Sequence, residues 1–173
     1  MKHVVYTIGH STHTIDEFIK ILNPYNIEEV IDIRTIPKSR HNPQFNIDKL
    51  KDSLLENNID YEQIKGLGGF RHTSSASINT AWENEAFRGF ADYMQTIEFE
   101  KSLLELIDIS RKKQVVIMCA EAVPWHCHRS LIGDALVVRN IYVEDIMNEK
   151  VSKSHKLTSW AKVDGYSITY PKF

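Results

Sequence analysis

Residues 114–138, QVVIMCAEAVPWHCHRSLIGDALVV, constrain the fold more than any other stretch. The opening QVVIMC is an apolar run of the kind that makes a buried strand. Seven residues, AEAVPWH, follow as a turn that contains a proline. After it Leu131, Ile132, Ala135, Leu136 and Val138 recur at helical spacing. The segment therefore reads as strand, loop, helix. Both cysteines of the chain crowd into that loop and its edges, with Glu121, His126, His128 and Arg129.

The rest of the chain repeats the alternation. Val4–Ile8 is a β-rich run that stops at Gly9. Thr14, with Glu17 three residues on, spells a capping box, and Ile15, Phe18, Ile19 and Leu22 continue as an amphipathic helix to Asn23-Pro24. Glu29–Ile33 is a second buried strand, followed by the polar loop RTIPKSRHNPQF. A helix is expected over 47–55, with Asn57-Asn58 at its end, then a third strand over 59–64 and the glycine-rich turn KGLGGFRH. Residues 73–85, rich in Ser, Thr and Asn, read as a flexible insertion or lid. Helical spacing over 86–109 suits two helices, and IYVEDIM a last strand. The tail from Asn148 carries Trp160, Tyr166, Ile168, Tyr170 and Phe173 without a pattern that places them.

Strands that alternate with helices predict a three-layer α/β domain with a mainly parallel, Rossmann-like central sheet. At 173 residues the chain suits one such domain over 1–173, large enough to bury a core without staples. A formal net charge of -2 gives no general pull toward nucleic acid or anionic lipid, so an anion site must be local. MKHVVYTIGH lacks the long apolar region of a signal peptide, and no stretch approaches a membrane span. With two cysteines this predicts cytoplasmic thiols and no membrane partner. Their spacing inside one loop also permits a bridge.

Ligands of open α/β sheets bind outside the carboxyl ends of the strands. In this chain those ends deliver Gly9-His10-Ser11, Arg34 through Arg40, Gly66 through His72, and Cys119 through Arg129. Four reactive loops would share one rim. IGHST, DIRTIPKSRHNPQF, YEQIKGLGGFR and MCAEAVPWHCHRSLIGDAL also resemble, in order, the motifs of the domain of unknown function 488 family. That resemblance covers residues 4 to 147 and implies an α/β fold in a bacterial or archaeal cytoplasmic protein. It implies motif positions at Gly9, His10, Ser11, Asp32, Arg34, Ser39, Arg40, Gly68, Cys119, Glu121, Cys127, His128 and Arg129. It supplies no substrate.

The residues themselves leave several chemistries open. Cys127 begins a helix, where the dipole favours a thiolate, and His126, His128 and Arg129 add positive character. Cys119 suits either a site or simple packing. Cys119 and Cys127 with His126 or His128, and Glu121 as a fourth, are legitimate zinc donors, but not in a zinc-finger spacing. No cofactor is named by the sequence, and zinc or another divalent metal is the one left open. VIDIR and VVIMC…HRS are similar to the layout of rhodanese-like sulfurtransferases, although the loop here is longer and Cys119 to Arg129 is not their compact spacing. Arg34, Lys38, Arg40, Arg71 and Arg129 supply cations for an anion, and Asp32 is the acid expected to pair with one of them. His10, His72, His128 and Glu121 suit proton transfer. GLGG lacks the lysine and hydroxyl of a P-loop.

The resulting expectation is an enzyme acting on an anionic substrate, whether phosphate-bearing, nucleotide or nucleic acid. Cys119, Glu121, Cys127, His128 and His10 are its catalytic candidates. Ser11, Arg34, Ser39, Arg40, Arg71 and Arg129 are its binding candidates. Two alternatives stand beside it: a non-catalytic module that binds nucleic acid or protein, and cysteine-dependent sulfur transfer.

Overall fold

The structure is a computed structural model that describes residues 2–172. Its principal elements are β1 (Val4–Gly9), α1 (Ile15–Leu22), β2 (Glu29–Asp32), α2 (Ile47–Glu56), β3 (Asp60–Gln63), α3 (Glu85–Tyr93), α4 (Ile97–Lys112), β4 (Val115–Cys119), α5 (Arg129–Val137) and β5 (Tyr142–Ile146). The short strands β6 (Ser152–Ser154), β7 (Lys162–Asp164) and β8 (Ser167–Thr169) follow. The main sheet has the order β3-β2-β4-β1-β5-β6. Its first five strands are parallel, and β6 closes the edge antiparallel to β5. This is the expected α/β sandwich, with a strand order other than that of the dinucleotide-binding sheets.

Alternation along β4 divides the core. Val116 and Met118 face Phe18, Leu22, Phe45, Leu50 and Leu54, the layer of α1 and α2. Val115, Ile117 and Cys119 face Phe90, Leu103, Leu106, Leu131 and Leu136, the layer of α3, α4 and α5. All five β4 residues are buried, as a strand covered on both faces requires. Each fully buried Leu, Ile or Phe contributes about 1.5–3 kcal/mol. Local signals set the helix starts: Thr14 accepts from Glu17 N at 3.1 Å, and Asn84 Oδ1 accepts from Ala86 N at 2.8 Å.

Sheet order also locates a crevice. The chain leaves β2 toward α2 on one face, and leaves the neighbouring β4 toward α5 on the other. Adjacent strands whose continuations diverge in this way open a gap at their carboxyl ends. Asp32 is level with Met118, and Ile33 N donates to Met118 O at 3.0 Å, so the loops after β2 and β4 start side by side.

The tail departs from the expectation that IYVEDIM is the last strand, because β6, β7 and β8 come after it. Three-residue strands with mostly exposed side chains carry no periodic signal. Ile168 and Tyr170 reach the core, and the Tyr170 hydroxyl donates to Asp134 Oδ2 at 2.8 Å. His155, outside the histidines singled out from the sequence, sets Nε2 2.8 Å from Asp134 Oδ1. Segment 73–85 is tied in as well: Asn79 is buried, donates to Asp92 Oδ1 at 2.7 Å and accepts from Tyr170 N at 2.9 Å. Among the described residues no helix is long and apolar enough to cross a membrane.

Candidate functional site

A pocket of about 500 Å³ opens in the crevice. Arg34, Thr35, Ile36 and Lys38 come from the loop after β2, and Gly69 and Phe70 from the turn after β3. Cys119, Ala120, Glu121 and the turn His126–His128 come from the loop after β4, while Asn84, Ala86 and Phe87 come from the start of α3. Cys119 and Cys127 are its deep members, 3% and 7% exposed, whereas Ile36 and Phe70 stand out into solvent. Phe70 has φ 58°, a left-handed backbone that is costly for a residue with a side chain.

Cys119 owes its surroundings to two neighbours. Gly9 of β1 is level with it, and a Cβ there would lie 1.7 Å from the Glu121 carbonyl oxygen. Glycine thus lets the loop after β4 fold back over the strand ends. Arg129, in the first turn of α5, is 1% exposed and fills the space beneath that loop. Its Nη1 donates to Glu121 O at 2.6 Å and to Cys119 Sγ at 2.9 Å, and its Nη2 to Ala122 O at 3.2 Å. None of these acceptors is a carboxylate. A buried guanidinium is costly without a compensating anion, and the group in contact able to become one is the Cys119 thiol.

The two sulfurs lie 2.8 Å apart, with Cys127 donating. Burial alone would push the Cys119 thiol up. The hydrogen bond from Cys127, the Arg129 charge and the Arg129 hydrogen bond outweigh it and bring Cys119 down to about 7. Cys127 is pushed up, by its hydrogen bond to Cys119 first and by burial second. The sequence pointed to Cys127 as the activated thiol from its place before a helix. Side-chain geometry reverses the roles, because Arg129 turns its guanidinium to Cys119 and offers Cys127 only a backbone N–H, at 3.4 Å. Burial also takes His128 down to about 4, so its ring is neutral near pH 7. His128 Nε2 is 2.9 Å from Leu67 O and must donate there. The other nitrogen, Nδ1, is then an acceptor, 3.7 Å from Cys127 Sγ.

The remaining candidates divide by position. Glu121 and His126 are exposed and line the pocket. Arg34 also lines it, but is forked onto buried Asp32 (Nε to Oδ1 2.9 Å, Nη2 to Oδ2 2.7 Å), the ion pair expected of Asp32. Arg34 Nη1 is buried and makes no hydrogen bond among the described residues. His10 does not line the pocket. It is buried, stacked on Phe45 at 4.2 Å and lowered in pKa by burial first. Backbone N–H groups of His10 and Ser11 donate to Cys119 O and Ala120 O, so this loop buttresses the one above it. Ser39 holds its own loop, with its N–H on Asn46 Oδ1 and its Oγ accepting from Asn42 N.

Arg40 and His72 are exposed outside the pocket lining. Arg71 lies over the Tyr93 ring at 3.8 Å and lines a neighbouring hollow of about 400 Å³. Arg129 is enclosed under the loop and does not stand on the rim. Among the described residues no three His, Cys, Asp or Glu side chains come together as a metal-binding group. Thr35, Ile36, Phe70, Asn84 and Phe87 were not singled out in the sequence. The one signal for any of them was the aromatic residue directly after Gly68-Gly69.

Chemically the site offers a thiolate-competent sulfur, a second thiol in contact with it, and Lys38 and Arg34 as cations at one pocket. A family profile described as Domain of unknown function DUF488 matches residues 14–136, from the cap of α1 into α5. Both cysteines and Arg129 fall inside that span, and Gly9-His10-Ser11 falls outside it. No curated protein and no solved structure matches the chain.

Proposed function

The chain belongs to the domain of unknown function 488 family, a membership that carries no activity, and we propose from its geometry that it is a cysteine-dependent enzyme acting on an anionic small molecule. One observation carries this reading: buried Arg129, bonded to no carboxylate among the described residues, donates to the Cys119 sulfur at 2.9 Å on the wall of a pocket. In this reading Cys119 is the nucleophile and Arg129 holds it as the thiolate, the reactive form of cysteine. Lys38, exposed on the pocket lining, binds the negative group of the substrate. Exposed Glu121 and His126 exchange protons at the mouth. The pocket volume suits a small ligand better than a strand of nucleic acid. A reducing cytoplasm would keep both thiols available.

The test is alkylation of each cysteine against pH, followed by peptide mass spectrometry, with negatively charged iodoacetate and neutral iodoacetamide. Cys119 is expected to react first, with its rate rising through pH of about 7 as the thiolate forms. Iodoacetate should be favoured over iodoacetamide relative to a free thiol, and Lys38→Ala should weaken that preference. A Cys119 that stays slow up to pH of about 8.5, the range of an ordinary thiol, would rule out the nucleophile. The exposed Ile36 and Phe70 would then support the non-catalytic binding module.

A further inference from the structure

We infer that Cys119 and Cys127 form a two-electron thiol–disulfide site, with Cys119 the attacking and Cys127 the resolving sulfur, whose substrate is a small disulfide bearing an acidic group. This rests on Cys119 being the nucleophile and names the substrate class and the partner residue for it. The sulfurs are 2.8 Å apart, closer than unbonded sulfurs ordinarily approach, and both are free thiols. Any group transferred to Cys119 therefore arrives beside a second thiol. An alkyl group on Cys119 would be indifferent to that neighbour and an acyl group could only pass across to it, but a sulfur-bound group would be expelled as the two sulfurs join.

The steps balance as follows. Cys119 thiolate attacks one sulfur of R–S–S–R, forming Cys119–S–S–R and releasing one RS⁻. That consumes the negative charge and the hydrogen-bond acceptor that chiefly held the proton on Cys127. Arg129 stays in place, with its backbone N–H 3.4 Å from Cys127 Sγ. The resolving thiol now ionises, its proton passing to the departing thiolate, and attacks Cys119 Sγ. A Cys119–Cys127 disulfide forms and the second RS⁻ leaves. The substrate gains two electrons and the protein loses them; a dithiol reductant restores the pair. The same contact disfavours stored persulfide: Cys127 attack on Cys119–S–SH would expel hydrosulfide before the sulfur could be handed on.

The experiment uses the whole reduced chain and dithiobis(nitrobenzoate), an aromatic disulfide with two carboxylates. Wild type is expected to release two nitrothiobenzoates per chain, to lose the mass of two hydrogens and to be restored by dithiothreitol. Cys127→Ser should release one and keep the other as a mixed disulfide on Cys119, and Cys119→Ser should release none on that timescale. Cationic cystamine should react about tenfold more slowly with Cys119 in wild type, measured relative to each reagent's rate with a free thiol. A wild-type chain that keeps a stable mixed disulfide on Cys119 would overturn the resolving role and leave the nucleophile standing. An inert Cys119 would overturn both. Wild-type protein that holds a persulfide without releasing sulfide, after exposure to a sulfane-sulfur donor, would overturn this inference in favour of sulfur transfer.

Discussion

Arg129 and Cys119 depend on each other, because a buried cation and a buried thiolate are each costly alone. That dependence has a consequence for stability. A thiol lowered by folding stabilises the native state fully above its unfolded value of about 8.5 and loses that contribution as pH falls through about 7. Between those limits wild type is predicted to gain about 2 kcal/mol that Cys119→Ser lacks. Cys127 acts in the opposite sense, since its raised pKa costs stability once pH exceeds the unfolded thiol value. The comparison is therefore best made between about pH 6 and 8.5, by denaturant unfolding of both proteins. Parallel profiles would show that Cys119 does not ionise in this range. At this scale the sequence was least informative. It placed Arg34, Arg71 and Arg129 on one rim and expected an ion pair at Asp32, but did not foresee that folding commits Arg71 to an aromatic ring and Arg129 to a sulfur.

Elements explain why the sulfur lies where it does. β4 ends at Cys119, and the loop after it returns over β1 only because Gly9 presents no side chain to the Glu121 carbonyl. Gly9→Ala is predicted to push that loop away. It should destabilise the fold by about 1–3 kcal/mol and slow iodoacetamide labelling of Cys119 at pH of about 7 by several-fold. Unfolding and labelling measured on one preparation check both. Unchanged labelling would mean that the loop does not need its present path to activate the thiol. Strands and helices themselves were legible in the residues. VVIMC over 115–119, the capping box at Thr14 and the helical spacing after Cys127 are local signals, and local signals survive without the fold. β6, β7 and β8 were not legible, being too short for any period to show.

Over the whole molecule, the tail closes the side of the core away from α1 and α2. Asp134 is fully buried and accepts from the Tyr170 hydroxyl, Thr158 N and His155, so α5 is held by residues far along the chain. Tyr170→Phe is predicted to cost about 1–3 kcal/mol by leaving that carboxylate short of a donor. Cys119 labelling should not change, because Tyr170 does not line the pocket. Loss of labelling alongside stability would mean that the tail also shapes the site.

The sequence by itself determined the alternation of strands and helices, the parallel sheet, and the delivery of Cys119 to a strand end beside other reactive loops. Each follows from periodicity or from chain order, which need no knowledge of distant partners. Only the tertiary structure decided which sulfur the Arg129 guanidinium faces, which loops wall the pocket and which arginines are already engaged. Those outcomes depend on a guanidinium folding back under a loop, a glycine three strands earlier in the chain, and a sheet order that sets β4 between β1 and β2. Gly9 lies far along the chain from the loop it admits, and Arg129 reaches Cys119 only once that loop has folded over it; packing settles both and leaves no local mark.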